Sequence, residues 1–154
     1  MIKILFVCHG NICRSPMAEL VMKKLVEEAG LSDLFEIASA ATSTEELGNG
    51  VYPPVARLLL RHGMDPAGKT ARQMARSDYD RYDLLLGMDS ANIQNMLRIC
   101  RKDPEEKIHR LLDYTDHPRD ISDPWYTRGF EQTWRDVREG CQALLAHLTQ
   151  TPLQ

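Results

Sequence analysis

Hydrophobic and polar positions change rhythm several times along this chain, and each change marks an element. Ile4-Leu5-Phe6-Val7 is a short unbroken apolar run that stops at polar and glycine residues, which predicts a buried strand. From Met17 to Gly30 the period becomes helical, with Ala18, Val21, Met22, Leu25 and Ala29 on one face and Gly30 able to form a left-handed cap. Phe35–Ala40 predicts a second strand, and a helix between two strands implies a parallel pair joined by a right-handed crossover. Pro53 to His62 reads as a second helix closed by Gly63, after a polar, glycine-containing loop over Thr42–Pro54. Tyr82–Met88 predicts a third strand that ends at Asp89, and Ile93, Met96, Leu97 and Cys100 give the next helix its apolar stripe. Ile108–Tyr114 predicts a shorter fourth strand, and Thr115–Gly129, with two prolines, three aspartates and no period, a long loop. Phe130, Trp134, Val137, Cys141, Leu144, Leu145 and Leu148, at steps of three and four, predict the final helix.

Alternating strands and helices of this kind predict a single α/β domain over residues 1–150, with a short frayed tail at 151–154. The expected architecture is a three-layer sandwich: a four-stranded parallel sheet with helices on both faces. At 154 residues the chain can bury one core, and no second is expected.

Between the first strand and the first helix lies Cys8-His9-Gly10-Asn11-Ile12-Cys13-Arg14-Ser15, followed by Pro16. Ser15-Pro16 reads as a helix N-cap and first helical residue, so the segment is a strand end, a tight loop and a helix start. Such a loop turns its backbone N–H groups inward, and Gly10 and Asn11 can take the left-handed conformations that close it into an anion-binding nest. Cys8 and Arg14 then face one small cavity, a thiol and a planar guanidinium able to grip two oxygens of a tetrahedral oxyanion. A helix N-terminus beside an arginine is also a setting that favours a cysteine thiolate, the attacking form. In open sheets, ligands bind beyond the carboxyl ends of the strands, where Cys8 stands.

The Cys-x5-Arg-Ser pattern directly after the first strand, in a chain of this length, resembles the low-molecular-weight protein tyrosine phosphatases. The resemblance covers almost the whole chain, including Ser39-Ala40-Ala41-Thr42-Ser43 after the second strand and Ala71-Arg72-Gln73 before the third. It implies hydrolysis of phosphotyrosine in proteins, and of small aryl phosphates, through a cysteinyl-phosphate without metal or cofactor. Cys8 would be the nucleophile, and Arg14 would stabilise the phosphoryl oxygens with the loop residues His9, Gly10, Asn11, Ile12, Cys13 and Ser15. The family's general acid sits in an Asp-Pro-aromatic-aromatic run in the last long loop, matched here by Asp123-Pro124-Trp125-Tyr126. Trp125 stands where tyrosine or phenylalanine is more usual, and Lys69 where many relatives carry a histidine that supports the loop near Asn11. Leu47, Trp125 and Tyr126 are the candidate rim, with Glu45 and Glu46 beside them.

Three other classes stay open: a catalytically silent phosphotyrosine binder, disfavoured because nucleophile and acid are both present, and two that arise from other residues. Gly63-Met64-Asp65-Pro66-Ala67-Gly68-Lys69-Thr70 satisfies the G-x-x-x-x-G-K-[ST] nucleotide-binding pattern, which requires a strand before it and a helix after it. Gly63 reads instead as a helix cap, and Ala71–Ser77 has no clear apolar stripe. An arsenate reductase of the same fold would need a further closely spaced cysteine pair, whereas Cys100 and Cys141 are 41 positions apart. Cys13 either packs under the loop or forms a reversible disulfide with Cys8.

Composition narrows the partners. The net charge of -3, without a basic stripe, argues against nucleic acid and anionic membranes, and the four cysteines have neither zinc nor secreted-disulfide spacing. With no signal-peptide pattern and no long apolar run, a cytoplasmic protein is expected. The implied partners are a phosphotyrosine-containing protein, a tyrosine kinase being one such candidate, and inorganic phosphate or another oxyanion in the loop. A monomer or weak homodimer is expected.

Overall fold

Four parallel strands form the central layer in the computed structural model, which describes residues 1–150. They are β1 (Ile2–Cys8), β2 (Phe35–Ala41), β3 (Leu84–Gly87) and β4 (Ile108–Arg110), arranged in the order β2-β1-β3-β4. Ile4 pairs with Ile37 on one side and Leu84 on the other, so β1 is bonded along both edges. Its run Ile4-Leu5-Phe6-Val7 is fully buried because both faces are covered. Ile4, Phe6 and Cys8 point into one core, and Leu5 and Val7 into the other.

The helices are α1 (Arg14–Glu28), α2 (Pro53–Arg61), α3 (Asp78–Arg81), α4 (Ser90–Cys100), α5 (Pro124–Thr127) and α6 (Phe130–Gln150). The first core takes Met17, Val21 and Met22 from α1, Leu58 and Leu59 from α2, and Val137, Cys141 and Leu144 from α6. The second takes Tyr79 from α3 and Met96 and Cys100 from α4. Each fully buried aliphatic side chain of this kind contributes about 1.5–3 kcal/mol. The expected α/β architecture, with a four-stranded parallel sheet and helices on both faces, is the observed one. The tail expected at 151–154 lies outside the described residues.

Four local expectations are corrected. The first helix begins at Arg14 with Cys13 in the cap position, not at a Ser15 cap, because the Ser15 hydroxyl is engaged by Asn11 and Cys8. The fourth strand stops at Arg110, and Leu111–Tyr114 is a 3-10 turn. There the Asp113 carboxylate accepts the Arg110 N–H at 3.0 Å, and the curled chain buries the consecutive Leu111 and Leu112, which a strand would send to opposite faces. The third strand is shorter than Tyr82–Met88, since Tyr82 caps α3. The long loop contains the single turn α5, started by the Asp123 side chain accepting from Trp125 N and by Pro124 at the first helical position. Among the described residues, no helix is long and apolar enough to cross a membrane.

Gly140, in the middle of α6, marks the closest approach of that helix to the 3-10 turn. A Cβ there would lie 2.6 Å from Leu111 Cγ, and Leu111 is fully buried with no room to withdraw. Gly140→Ala should therefore lower the unfolding free energy by about 1–2 kcal/mol in urea melts, because overpacking outweighs the roughly 1 kcal/mol gained in helix propensity. A more stable variant would show that this contact is not tight.

Candidate active site

Cys8 ends β1, and the chain turns through five residues before α1 begins at Arg14. The turn depends on Asn11, which is 1% exposed and holds a φ of 58°, a region that asparagine tolerates better than most residues. Its backbone N–H donates to Cys8 Sγ at 3.3 Å. Its side chain bonds on both ends: Nδ2 donates to Ser15 Oγ at 2.7 Å and Ser39 Oγ at 3.0 Å, while Oδ1 accepts the Arg72 N–H at 3.2 Å. Ser15 Oγ, which accepts from Asn11, lies 3.0 Å from Cys8 Sγ and 3.5 Å from the Ala40 carbonyl oxygen, within hydrogen-bond reach of both.

Neighbouring segments clamp the loop from outside. Thr42 and Ser43 donate their N–H groups to the Cys8 and His9 carbonyls, and Tyr52 N–H to the Ile12 carbonyl. Below the loop, Ser39 Oγ donates to Glu19 Oε1 at 2.6 Å, and Glu19 is ion-paired to Lys23 at 2.7 Å and Lys69 at 3.0 Å. Burial alone would raise the Glu19 carboxyl. Hydrogen bonds from Lys23 and Ser39, with the nearby Lys69 charge, outweigh that and hold it below the usual value of 4.5.

Arg14 is 2% exposed, and its charge is compensated within the fold. Nη1 donates to Asp89 Oδ2 at 2.7 Å and to the Ile121 carbonyl at 2.8 Å, while Nη2 lies 3.5 Å from Asp123 Oδ2. Burial would lower its pKa, but the Cys8 sulfur, Asp89 and Asp123 more than offset that and raise it. Asp89 does double duty, since its Oδ1 caps α4 through the Asn92 N–H at 2.7 Å. Asp123 is likewise divided, with Oδ1 capping α5 through Trp125 N–H at 3.0 Å and Oδ2 turned toward Arg14.

These groups enclose a cleft of about 110 Å³. It is lined by the loop from Cys8 to Arg14 except Asn11, by Glu45 and Glu46, and by Asp123, Trp125 and Tyr126. Cys8 and Arg14, from one loop, and Asp123, distant in sequence, thus line one cleft. Asn11 and Ser15 act beneath the loop and do not line the cleft. Leu47 is not part of the lining: it stands 48% exposed at the corner of a turn in which Asn49 N–H bonds Glu46 O and Gly48 is left-handed. Tyr52, not anticipated, braces Trp125 with ring centroids 4.8 Å apart. The Cys13 thiol is pushed up to about 12, first by burial and then by Cys8 and Asp123, which makes it a neutral neighbour at physiological pH.

Asp89, Glu19 and Ser39 were not singled out as site residues by sequence reading. Asp89 reads as the end of a strand, or as the metal-binding partner that the nucleotide-binding pattern would need, and Glu19 resembles one half of an exposed Glu-Lys pair four positions apart. The nucleotide-binding pattern at Gly63–Thr70 is overturned. It follows the end of α2, no helix begins at Thr70, which bridges Gly50, and Lys69 is paired with Glu19.

The family model of the low molecular weight phosphotyrosine protein phosphatases matches residues 3–153. The chain is 37% identical to the low molecular weight protein-tyrosine-phosphatase YfkJ of Bacillus subtilis, over 96% of each chain. It is 38% identical to the human low molecular weight phosphotyrosine protein phosphatase, over 92% of each. The crystal structure of YfkJ superposes with a TM-score of 0.95 at 36% identity, covering 98% of this chain and 96% of that one. A tyrosine phosphatase of Entamoeba histolytica, solved with Hepes in the active site, superposes with a TM-score of 0.90 at 29% identity, over 99% of each chain.

The buried carboxylate under the loop gives a pH-dependent test. Because the Glu19 pKa is lowered on folding, its stabilisation is complete above the ordinary value and is lost as pH falls through the folded one. Glu19→Gln should cost roughly 2 kcal/mol in urea melts at about pH 7, a gap that narrows steadily toward about pH 3. A gap independent of pH would contradict the charged network.

Proposed function

Because this chain belongs to the low molecular weight phosphotyrosine protein phosphatase family, we propose that it hydrolyses phosphotyrosine in proteins, and small aryl phosphates, through a phosphocysteine on Cys8. One observation carries this reading. Cys8 Sγ, within hydrogen-bond reach of Asn11 N–H and Ser15 Oγ, shares one small cleft with Arg14 and Asp123. The Hepes molecule in the Entamoeba relative, a sulfonic acid, supports a cup suited to tetrahedral oxyanions.

In the first half-reaction the Cys8 thiolate attacks phosphorus in line, the S–P bond forms and the bond to the phenolic oxygen breaks. Asp123 gives its proton to that oxygen, so a neutral phenol leaves. Two ligands, Asp89 and the Ile121 carbonyl, anchor Arg14 through Nη1, which leaves other guanidinium N–H groups for the phosphoryl oxygens. The loop amides complete the cage where charge is redistributed in the transition state. In the second half-reaction the Asp123 carboxylate takes a proton from water, the water oxygen attacks phosphorus, and the S–P bond breaks. The Ser15 hydroxyl, donating to the departing sulfur, favours that step.

Trp125 and Tyr126 form the wall against which an aromatic leaving group stacks. The natural substrate is a phosphotyrosine-containing protein, with a tyrosine kinase among the candidates. A cytoplasmic location suits four cysteines that are all free thiols, and the protein works as a monomer or weak homodimer.

Cys8→Ser should abolish turnover of p-nitrophenyl phosphate while inorganic phosphate still binds, as read by calorimetry. Asp123→Asn should slow phosphoryl transfer by roughly 10²–10⁴-fold, with the largest loss for phenols that are poor leaving groups. Wild-type rates for Asp123→Asn on an alkyl-substituted phenyl phosphate would remove Asp123 from the acid role.

A further inference from the structure

Beside the aromatic wall of the cleft, the surface is rich in arginine. A groove of about 460 Å³ is bordered by α2 and the start of α6, and its lining contains Arg57, Arg61, Arg128 and Arg135. Glu131 is the one acid among the described residues that line it. On a chain of net charge -3 this is a concentrated positive island. Little of the charge is neutralised. Arg61 pairs with Glu131 at 3.2 Å, both well exposed, while Arg128 donates to Tyr52 Oη and Arg135 to the Gln132 amide oxygen. Arg57 is also exposed, and its guanidinium has no ion pair or hydrogen-bond partner among the described residues.

Arg128 joins this groove to the cleft. It follows α5 at a φ of 60°, a left-handed conformation that glycine or asparagine takes more cheaply. Its guanidinium lies 6.0 Å from the ring centroids of both Tyr52 and Trp125, and Trp125 lines the cleft. The two depressions therefore share a wall. Along α2, Arg57 and Arg61 are one turn apart, about 6 Å. Alternate side chains of an extended peptide are spaced about 6.6 Å, so acids at alternate positions can meet these two arginines together.

The geometry points to a docking groove for an acidic stretch of the phosphotyrosine substrate, bound as an extended segment while the phosphotyrosine occupies the cleft. This inference rests on the phosphatase reading of that cleft. A polypeptide is the occupant because the groove continues the cleft that holds one of its side chains, and its arginines are complementary to carboxylates. The groove acts on capture of the substrate and not on the chemistry, so its effect falls mainly on KM.

The test compares two phosphotyrosine peptides that differ only in Asp and Glu against Asn and Gln at alternate flanking positions. Each is assayed with wild type, Arg57→Gln and the double variant Arg57→Gln/Arg61→Gln, with p-nitrophenyl phosphate as a common reference. Wild type should prefer the acidic peptide by about fivefold to tenfold in kcat/KM at low salt, and the preference should fade in about 0.5 M salt. The single variant should reduce the preference and the double variant remove it, with p-nitrophenyl phosphate turnover unchanged. Equal turnover of the two peptides by wild type, or a preference surviving in the double variant, would overturn the groove while leaving the phosphatase reading intact. Phosphatidylserine vesicles bound by wild type and not by the double variant, without peptide preference, would reassign the groove to a membrane surface and overturn the inference. No hydrolysis of p-nitrophenyl phosphate by wild type would defeat the phosphatase reading, and with it the docking inference.

Discussion

A single asparagine in a left-handed conformation holds the site in shape. Asn11 reverses the chain between Cys8 and α1, sends its own N–H toward the sulfur, and uses both ends of its side-chain amide to bond α1, β2 and the Arg72 backbone. A buried amide with its polar groups satisfied fixes one geometry, whereas a partly satisfied one would cost about 1–3 kcal/mol per orphaned group. Glycine could adopt the same φ but would bring none of these bonds, and alanine would bring strain without them.

The polar groups around this residue form a chain of dependence. Ser15 receives a hydrogen bond from Asn11 and lies within hydrogen-bond reach of the sulfur; Ser39 receives one from Asn11 and donates its own to the Glu19 carboxylate. Glu19 is buried with Lys69 and Lys23 against it, so the loop rests on a carboxylate whose burial is compensated by two cations and the Ser39 hydroxyl. Arg14 follows the same logic: Asp89 and the Ile121 carbonyl hold it before any ligand arrives. In the proposed mechanism this preorganisation matters because donors already aimed at the phosphoryl group need not reorient during the reaction.

Much of this was legible in the sequence because the relevant signals are local. The apolar run before Cys8, the glycine and asparagine in the loop, and the arginine six positions after the cysteine together specify a strand, a nest and a helix start. Asp123 was legible only through the family resemblance of the Asp-Pro-aromatic-aromatic run, because an aspartate before proline marks an ordinary turn as readily as a group that faces a cleft. What the pattern could not show is tertiary. Asp89 reads as a strand end because its bond to Arg14 spans 75 positions, and nothing local marks Glu19, whose burial depends on β2 and the segment around Lys69. Leu47 lies outside the cleft lining for a different reason: it sits at the corner of a turn in which Gly48 is left-handed. The 3-10 turn after Arg110 was read as strand because its consecutive leucines fit either geometry until the Asp113 bond to Arg110 N–H decides between them.

The central claim is that phosphorus is passed to the sulfur at the base of this loop before it reaches water. Rapid acid quenching of the wild-type protein during turnover of an aryl phosphate, followed by mass spectrometry of its peptides, tests that claim most directly. One phosphoryl group is expected on the peptide that contains Cys8, formed and lost at rates consistent with turnover. Turnover with the phosphoryl group on another residue, or with none captured while product forms in a burst, would contradict it.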